Sequence, residues 1–511
     1  MVISLFKSER SLKQFQNHLM SLLNIYYGND HFFKTVFFNA TIIFKVFFTD
    51  LTPVRDILLP TYNPRGEKPW DPLCLFRSYW LMCQFGNDGS ITKWVKKLNS
   101  EPFWAILSGF YPNDVPGVGT FYDFEDRLCD FDKGQRVDRC KKMHKPKAKP
   151  KTKLNKNQKK PPKHQGIVEK LVNRILRDED QAQPKRADFL LQLIFKECFV
   201  LPSARKGLLG DTNNLAVSGD GMVFETNASP FGTKDCDCRK KGIYTCSCPR
   251  RFSDPTANWG WDSYREKYVF GYSDYSFTTA YSPYDLPIFT TLAQAARHDS
   301  VTHTFALYSM MFLYPEFNFS KDILDSAHDN YATYELLEHW DIEPFIVLNE
   351  KNKGNFKYDP PIDVNEDGVP ICKGGFLMVN WGYDKERSRI KWRCPHVCLK
   401  SCNCPIFNCS DSDYGRTIHT KPHWDKRIFT STPRGSQKWK DTMKKRTSSE
   451  RRNSRVREDY NLESDKVRSK SRWFIRIIMR DAAIHANAWV KDSDISPEEW
   501  LNTWFEYKAV A

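Results

Sequence analysis

Residues 443–460 are rich in charge and contain no proline or glycine, so we predict that they form one helix. With about 3.6 residues per turn, Arg446, Glu450, Asn453 and Arg457 fall on one face of this helix. Such a face can hold a metal ion through Glu450 and phosphate groups through the arginines. The alternative is a solvated, salt-bridged helix without a ligand, which is the usual interpretation of an isolated charged helix.

The chain from residue 186 to residue 349 alternates helical and strand patterns, which indicates an α/β fold. Residues 215–218, 321–324 and 344–348 have the apolar pattern of buried strands, and residues 301–313 have that of a helix. A succession of this kind predicts a central sheet covered by helices.

Two aspartates stand where these predicted strands end. Asp220 follows the first strand between Gly219 and Gly221, and Asp325 follows a later strand. Acids at strand ends can meet an acid on a helix at the carboxyl edge of an α/β sheet, so Asp220, Asp325 and Glu450 are the candidate catalytic and metal-binding residues. Such partly open oxygen sites suit Mg²⁺ or Mn²⁺ better than Zn²⁺ and can serve phosphoryl transfer. Each acid can also simply cap or turn its strand.

Three short motifs surround these acids. Asp220-Gly221 follows a predicted strand, residues 325–329 read Asp-Ser-Ala-His-Asp, and residues 443–457 contain Met-x2-Arg-x3-Glu-x6-Arg. The motifs resemble those of the DDE transposases of bacterial insertion sequences, which have a ribonuclease-H-like core. In that family the second acid lies in Asp-x-(Gly/Ala)-(Tyr/Phe)-Asp and the third in Tyr-x2-Arg-x3-Glu-x6-Lys. The resemblance covers most of residues 50–490.

Three positions depart from the family pattern. His328 replaces an aromatic residue, Met443 replaces tyrosine, and Arg457 replaces lysine. Arginine keeps the positive charge but changes the geometry of phosphate contacts, whereas methionine removes a hydroxyl donor. The aspartates are 105 residues apart and Glu450 follows Asp325 by 125 residues, which leaves room for an insertion.

The resemblance implies an α/β fold with a ribonuclease-H-like core, an N-terminal helical domain and a β-rich, cysteine-containing insertion. The predicted boundaries are an N-terminal segment (1–50), a helical DNA-binding domain (51–135), a basic disordered linker (136–170), the first part of the core (171–349), the insertion (350–440) and the last part of the core (441–511).

The resemblance also implies a function. The chain is expected to be a Mg²⁺- or Mn²⁺-dependent DNA transposase that binds terminal inverted repeats and target DNA as a homodimer in a synaptic complex. It would cleave a phosphodiester and use the freed 3′ hydroxyl for strand transfer. Two alternatives remain, a metal-dependent nuclease without transfer activity and a non-catalytic DNA-binding derivative.

The formal net charge of +15 predicts a polyanionic partner. Residues 72–85 and 91–98 form a helix, glycine turn and basic helix with Lys93, Lys96 and Lys97, which matches either a DNA-binding helix-turn-helix or a plain helical hairpin.

Further basic residues are candidates for DNA contacts. The lysine–proline tract of residues 141–165 is either a disordered electrostatic tether to DNA or a solubilising linker. Lys445, Arg446 and Arg457 are expected to bind DNA phosphates. The alternative for Arg446 is an ion pair that holds the helix.

The cysteines and the apolar segments bear on location and metals. An odd number of cysteines, 15, favours a reducing compartment, so we expect a cytoplasmic, nucleoid-associated protein. Residues 32–48 are apolar but are interrupted by Lys34, Asn39 and Lys45, so we expect no membrane span. Two groups of cysteines can each supply the thiolates of a structural zinc site or remain free. The first group is Cys236, Cys238, Cys246 and Cys248, and the second is Cys394, Cys398, Cys402, Cys404 and Cys409.

Overall fold

The computed structural model describes residues 5–131, 141–142, 165–177, 186–351, 354, 356 and 359–505, with gaps at 64, 87–88, 235, 400–402 and 407–408. The helices are α1 (Leu12–Tyr27), α2 (Asp30–Phe38), α3 (Ala40–Phe48), α4 (Thr52–Leu58), α5 (Pro72–Phe85), α6 (Ile91–Ser100), α7 (Pro102–Ser108), α8 (Val118–Leu128), α9 (Ile167–Leu176), α10 (Phe189–Phe195), α11 (Leu201–Arg205), α12 (Asp299–Leu313), α13 (Tyr331–His339), α14 (Pro395–Leu399), α15 (Gln437–Met443), α16 (Thr447–Ser454), α17 (Lys470–Lys491) and α18 (Pro497–Asn502). The strands are β1 (Lys141–Lys142), β2 (Leu215–Glu225), β3 (Thr233–Lys234), β4 (Arg250–Arg251), β5 (Asn258–Asp262), β6 (Lys267–Thr279), β7 (Pro287–Gln294), β8 (Phe319–Leu324), β9 (Glu343–Ile346), β10 (Val379–Asp384), β11 (Arg389–Arg393) and β12 (Thr417–Thr420).

The chain is a mixed α/β protein built on one mixed sheet. Strand β6 pairs antiparallel with β2 on one side and with β5 and then β7 on the other. Strand β8 runs parallel to β2, and β9 runs parallel to β8. The resulting order is β7-β6-β2-β8-β9, with β5 extending the sheet beside the first half of β6.

Helices α12 and α16 cover opposite faces of this sheet. The rings of Tyr275 on β6 and His303 on α12 lie 6.2 Å apart, whereas the neighbouring Asp274 pairs with Arg452 of α16 at 2.6 Å. Successive side chains of a strand point to opposite faces, so the two helices lie on opposite sides. Arg452 also pairs with Asp481 of α17 at 2.7 Å, which places α17 beside α16.

The N-terminal helices and the sheet share one hydrophobic core, which includes residues from α1 to the C-terminal helices. Polar contacts reinforce the junction along α17. Buried Arg476 of α17 donates to the carbonyl of Gly89 at 2.8 Å and lies 4.5 Å above the ring of Tyr79. Glu125 of α8 accepts hydrogen bonds from the Tyr79 hydroxyl at 2.5 Å and from Arg472 at 2.9 Å. Helix α17 therefore joins the N-terminal helices to the sheet.

The region between β9 and α15 forms a separate three-stranded antiparallel sheet, β10-β11-β12. Its small core consists of Leu348, Val369, Met378, Ile390, Trp392, Ile428 and Phe429. A buried ion pair anchors this region, with Nη2 of Arg427 lying 2.7 Å from Oδ2 of Asp329 in the loop after β8.

Two predictions about the site elements need correction. Asp220 does not end its strand, because β2 continues to Glu225 with antiparallel partners on β6 as far as Gly271. Residues 443–460 are not one α-helix. A 3-10 turn (Lys444–Arg446) precedes α16 and a π turn (Arg455–Asp459) follows it. In the π turn, Nη2 of Arg457 donates to the carbonyl of Val223 at 2.9 Å.

No helix within the described ranges is both long and apolar enough to cross a membrane. The predicted disordered linker of residues 136–170 falls mostly on residues 136–140 and 143–164, which lie outside the described residues. Its end needs correction, because residues 167–170 form the start of α9. Strand β1 is described, and it pairs antiparallel with β4 so that Lys141 is opposite Arg251.

Buried His485 of α17 provides a test of this packing. Its Nε2 donates to the carbonyl of Pro287 at 2.8 Å and its Nδ1 accepts from Ser203 Oγ at 2.7 Å, which requires the neutral ring. Burial lowers the pKa of His485 to about 4. The unfolded chain therefore takes up the proton first, and the contribution of His485 to stability is present above about pH 6.5 and lost as the pH falls towards 4. The loss is on the order of 3 kcal/mol.

Denaturant midpoints measured from pH 7 to pH 4.5 should fall less steeply for His485→Gln than for the parent protein. His423→Gln removes an exposed histidine and is the control, with the parental slope expected. Parallel pH profiles for the parent and His485→Gln would contradict the assignment.

Candidate active site

A cleft of about 640 Å³ opens beside the second half of β2 and the helical turns around α16. The three acids predicted from the sequence, Asp220, Asp325 and Glu450, all line it, and so do Arg446 and Arg457. Side chains that are up to 237 residues apart in the chain are thus brought together in one place.

Strands β2 and β8 place the two aspartates side by side. Ser218 pairs with Ile323 in the parallel ladder. The same register carried two residues further sets Asp220 level with Asp325, which follows the last residue of β8. Because neighbouring strands are about 4.8 Å apart, the two carboxylates emerge close together.

Gly219 and Gly221 allow other polar groups to approach β2 closely. A Cβ atom on Gly219 would lie 2.4 Å from the hydroxyl oxygen of Tyr275, and one on Gly221 would lie 2.4 Å from Oδ1 of Asp299. A larger residue at either position would require these side chains to move away from β2.

His328 holds the second acid in place. Its Nδ1 donates to Oδ1 of Asp325 at 2.6 Å, and its Nε2 lies 3.0 Å from the hydroxyl of Tyr275. The ring is fully buried, whereas the Asp325 side chain is 38% exposed to the cleft. The backbone N–H of Ala327 also donates to Oδ1 of Asp325, at 3.0 Å. The histidine that departs from the family pattern therefore orients this carboxylate.

Helix α16 contributes the third acid and an amide. Oε1 of Glu450 lies 2.6 Å from Nη2 of Arg446, an ion pair one helical turn apart. Nδ2 of Asn453 donates to Oδ2 of Asp220 at 3.0 Å. The face of α16 predicted from the sequence thus points at β2, and Asn453 connects the helix to the first acid.

The carboxylates perturb one another. Burial, followed by the charges of Asp299 and Asp325, raises the pKa of Asp220 to about 7. Burial also raises the pKa of Asp299. Burial would raise the pKa of Asp325 as well, but the hydrogen bond and charge of His328 lower it below its ordinary value. The pKa values of Asp220 and Asp299 are therefore raised and that of Asp325 is lowered, although all three carboxylates line one cleft.

The cleft carries a surplus of negative charge. Six acids line it, the three predicted ones together with Asp262, Asp299 and Glu458, against Arg446 and Arg457. Within the described residues, no three acidic residues each bring a carboxylate oxygen within 4.8 Å of the others, and Glu450 is held by Arg446. The available donors are carboxylate oxygens, which fit Mg²⁺ or Mn²⁺ in chemical type.

Aromatic side chains form part of the cleft wall. Trp261 on β5 is 51% exposed and Tyr264 in the following turn is 77% exposed, and both line the cleft. The guanidinium of Arg457 lies 5.1 Å from the centre of the Tyr264 ring. These aromatics were not predicted as site residues, although the spacing of Trp259 and Trp261, two residues apart in a strand, was a usable signal.

The other predicted DNA-binding lysines lie elsewhere. Lys93 and Lys96 are exposed on α6, and the Lys97 ammonium lies 4.6 Å from the centre of the Trp104 ring. Lys445 is exposed, with its ammonium 5.5 Å from the centre of the Tyr281 ring. None of these four lysines lines the cleft.

Asp299 and Asn453 were not predicted as site residues. Asp299 is the first residue of α12, where an acid is commonly explained by the helix dipole. Asn453 was predicted to share the face of Glu450 but received no role. Only the tertiary placement of α12 and α16 reveals that both side chains belong to the cleft.

The first cysteine group forms a cluster away from these acids in sequence, between β2 and β5. All four sulfur atoms lie within 4.8 Å of one another, and two pairs, Cys236 with Cys246 and Cys238 with Cys248, are 3.6 Å apart. Pairing of β3 with β4 brings the two Cys-x-Cys pairs together. Sulfurs bound to one zinc ion are about 3.8 Å apart, so the cluster can bind a metal such as zinc.

The second cysteine group has no such arrangement among its described members. Cys402 lies outside the described residues, and no further group of three or more ligand atoms within 4.8 Å occurs in the described ranges. In the first cysteine group, a hydrogen bond with the backbone of Cys248 lowers the pKa of Cys246 to about 7, which favours a thiolate at Cys246.

No protein-family model matches this sequence, and no match was found among curated proteins. The arrangement of side chains in the cleft is therefore the main basis for a functional proposal.

The cysteine cluster leads to a direct prediction. Cys246→Ser should lower the zinc content by about one equivalent per chain, because one four-thiolate site loses a ligand. Zinc would be measured by elemental analysis of protein purified under reducing conditions. Cys198→Ser, at a buried cysteine outside the cluster, is the control and should keep the parental zinc content. Equal zinc in all three proteins would rule out this site.

Proposed function

We propose that this chain is a DNA transposase of the DDE type with a ribonuclease-H-like catalytic core. The observation that carries the proposal is the convergence of Asp220, Asp325 and Glu450, from two strands and a helix, in one cleft with Arg446 and Arg457. Four of these five residues match the family motifs in the sequence, and Arg457 stands where the family has lysine.

The topology supports the proposed core. A ribonuclease-H-like fold requires three antiparallel strands in sequence followed by two parallel strands on the other side of the first. Strands β2, β6 and β7 form such a meander, and β8 and β9 are the parallel additions. Helix α12 connects β7 to β8, and α16 and α17 follow the β10–β12 region.

The proposed reaction needs positive charge in a cleft that is acidic. A DNA phosphate would be repelled by the surplus of carboxylates unless cations accompany it. Asp220, Asp325 and Glu450 would hold Mg²⁺ or Mn²⁺, which supplies charge stabilisation at the phosphorus and lowers the pKa of an attacking water. His328 and Asn453 would keep Asp325 and Asp220 in position for this task.

The chemistry has two steps at phosphorus. In the first, a water oxygen bonds to the phosphorus, the bond from phosphorus to the 3′ oxygen breaks, and that oxygen leaves as a 3′ hydroxyl after gaining a proton. In the second, the freed 3′ hydroxyl attacks a target phosphodiester and displaces its 3′ oxygen. Arg446 and Arg457 would contact the phosphate oxygens, for which the guanidinium fork is suited.

Features outside the acids suit DNA as the partner. The exposed Lys93 and Lys96 on α6 and the net charge of +15 favour contact with the phosphate backbone. Exposed Trp261 and Tyr264 offer ring faces on which bases can stack beside the cleft. A zinc ion bound by the four cysteines between Cys236 and Cys248 would have a structural role. A nuclease without transfer activity remains the main alternative, and a strand-transfer assay with pre-cleaved ends separates the two.

The variant Asp220→Asn tests DNA binding separately from DNA cleavage. It removes a carboxylate whose pKa is about 7 from a cleft that must accept phosphate, so above pH 7 the variant should bind terminal DNA at least as well as the parent without metal. Cleavage should be at least ~10³-fold slower, since several kcal/mol of transition-state stabilisation depend on the metal. Filter binding over a salt series and Mg²⁺-dependent nicking would be measured on the same preparations.

Glu458→Gln is the charge control, because Glu458 is an exposed acid at the same cleft. Its cleavage rate should stay within about threefold of the parental rate, which is the scale of a surface charge effect. Parental nicking by Asp220→Asn, with contaminating nuclease excluded, would remove the chemical basis of the proposal.

Arg446→Ala tests the arginine assignment. Loss of the guanidinium should slow cleavage on the order of 100-fold and weaken binding of pre-nicked ends, because a phosphate contact is lost. Lys440→Ala removes an exposed charge on neighbouring α15 and should leave both quantities near the parental values. If Arg446→Ala instead lowers the melting temperature with cleavage per folded molecule unchanged, the arginine serves only to pair with Glu450.

A further inference from the structure

The four clustered cysteines lie in a segment that has no hydrophobic core of its own. We call residues 230–252 the cysteine module, and none of its described members belongs to a hydrophobic cluster of the protein. A small module of this kind needs another source of stability, which a zinc ion bound by the four thiolates would supply. Its other side chains are therefore not needed for packing and can contact a partner.

The cysteine module is strongly basic. It contains six basic residues against two acidic ones, and the basic ones are Lys234, Arg239, Lys240, Lys241, Arg250 and Arg251. Strand β1, which consists of two lysines, pairs with β4 of the module and adds to this charge. A concentration of positive charge in so short a segment favours a polyanionic partner.

Three of these cations share one exposed turn. Arg239, Lys240 and Lys241 directly follow Cys238, and all three side chains are exposed. The backbone N–H of Ile243 donates to the carbonyl of Cys238 at 2.9 Å, which closes the turn at a member of the cysteine cluster. The cluster therefore holds this turn in a defined position. 

The three cations of this turn are not held in strong ion pairs. Lys240 pairs with Asp237 at 2.9 Å, but the two side chains are 84% and 68% exposed, and such an exposed pair contributes little free energy. Arg239 and Lys241 pair with no acid in the described part of the chain. All three cations can therefore contact phosphate groups at little cost.

Two aromatic rings accompany the cations. The side chains of Phe231 and Tyr244 are 78% and 70% exposed. Nζ of Lys234 donates to the carbonyl of Tyr244 at 2.6 Å, so the loop that carries Tyr244 lies against β3. Exposed rings together with cations are typical of surfaces that bind single-stranded nucleic acid, because bases stack on the rings while the cations contact the backbone.

The central sheet connects the cysteine module to the cleft. Glu225 at the end of β2 and Asn258 at the start of β5 pair with opposite sides of Gly271 on β6, so the chain leaves the sheet and returns to it at one place. Asp220 precedes Glu225 by five residues of β2, which is about 17 Å along the strand. A DNA strand held at the cleft would cover this distance in about five nucleotides. The base of the cysteine module is therefore within reach of DNA bound at the cleft.

We propose that the cysteine module is a second DNA-binding surface, which holds a single strand beside the cleft. Arg239, Lys240 and Lys241 contact the phosphates of this strand, and the rings of Phe231 and Tyr244 stack on its bases. None of these five residues lines the acidic cleft. The inference takes its partner, DNA, from the proposed function but concerns a different surface.

The test measures the affinity of the full chain for a strand of about 30 thymidine nucleotides, by fluorescence anisotropy over a salt series. The double variant Arg239→Ala/Lys241→Ala should bind more weakly, and its slope of log affinity against log salt should be smaller by about 1.4, since each lost phosphate contact removes about 0.7. The control, Arg205→Ala/Lys206→Ala, removes the same two side-chain types from an exposed site at the end of α11 and should keep the parental slope.

A second variant tests the stacking. Tyr244→Ala should bind the thymidine strand at least about fivefold more weakly than the parent, and Tyr244→Phe, which keeps the ring, should bind within about twofold of it. All of these side chains are exposed, so the variants should melt at the parental temperature. A smaller salt slope in the double variant with parental affinity in Tyr244→Ala would leave a purely electrostatic surface and overturn the assignment of a single strand.

Mg²⁺-dependent nicking, measured on the same preparations, distinguishes this inference from the proposed function. If the parent nicks DNA while the double variant and Tyr244→Ala bind the thymidine strand as the parent does, only the inference fails. If the parent does not nick DNA but both variants bind as expected, the surface stands and the proposed reaction fails. Tighter parental binding of a uridine strand of equal length, lost in the double variant, would make RNA the partner and overturn the choice of DNA.

Discussion

The site depends on the buried ion pairs that the guanidinium of Arg452 makes. Arg452 is fully buried on α16, where it pairs with Asp274 of β6 at 2.6 Å and with Asp481 of α17 at 2.7 Å. Burial alone would lower the pKa of Arg452, but the two aspartates raise it, so the guanidinium stays charged. Removing one member of such a network leaves an uncompensated buried charge, which typically costs about 3–5 kcal/mol. The network therefore fixes α16 against both the sheet and α17.

The position of Arg452 in the chain explains why its ion pairs matter for the cleft. Glu450 and Asn453 flank it on α16, so a helix fixed by Arg452 also fixes the acid and the amide that face β2. Asn453 then reaches Asp220 at 3.0 Å, and Ser449 lies 2.9 Å from the hydroxyl of Ser218 on the same strand. A buried ion network, and not the exposed pair of Arg446 with Glu450, determines where the helix lies.

The sequence predicted the parts of this site that have local signals. Glycines beside Asp220, the apolar strand before Asp325 and the helical spacing around Glu450 are visible in short windows, and all three acids line one cleft. The length of β2 was not visible, because it depends on pairing with β6, which is distant in sequence. The role of His328 was also hidden, since it arises from contacts to Asp325 and Tyr275 that only the folded chain creates. Asp299 looked like an ordinary acid in the first turn of a helix.

The N-terminal helices also could be predicted only in part. Their apolar pattern predicts a compact helical unit, but it does not predict which part of the core this unit packs against. Tyr79, Glu125 and the carbonyl of Gly89 meet Arg476 and Arg472 of α17, so the unit that carries the α6 lysines packs on the helix that also holds Asp481. Asp481 in turn binds Arg452 of α16. A continuous set of packed and ion-paired side chains thus connects the basic N-terminal surface with the acidic cleft. If the chain binds DNA at both places as proposed, α17 holds the two surfaces in fixed relation, because a closely packed protein interior is hard to compress.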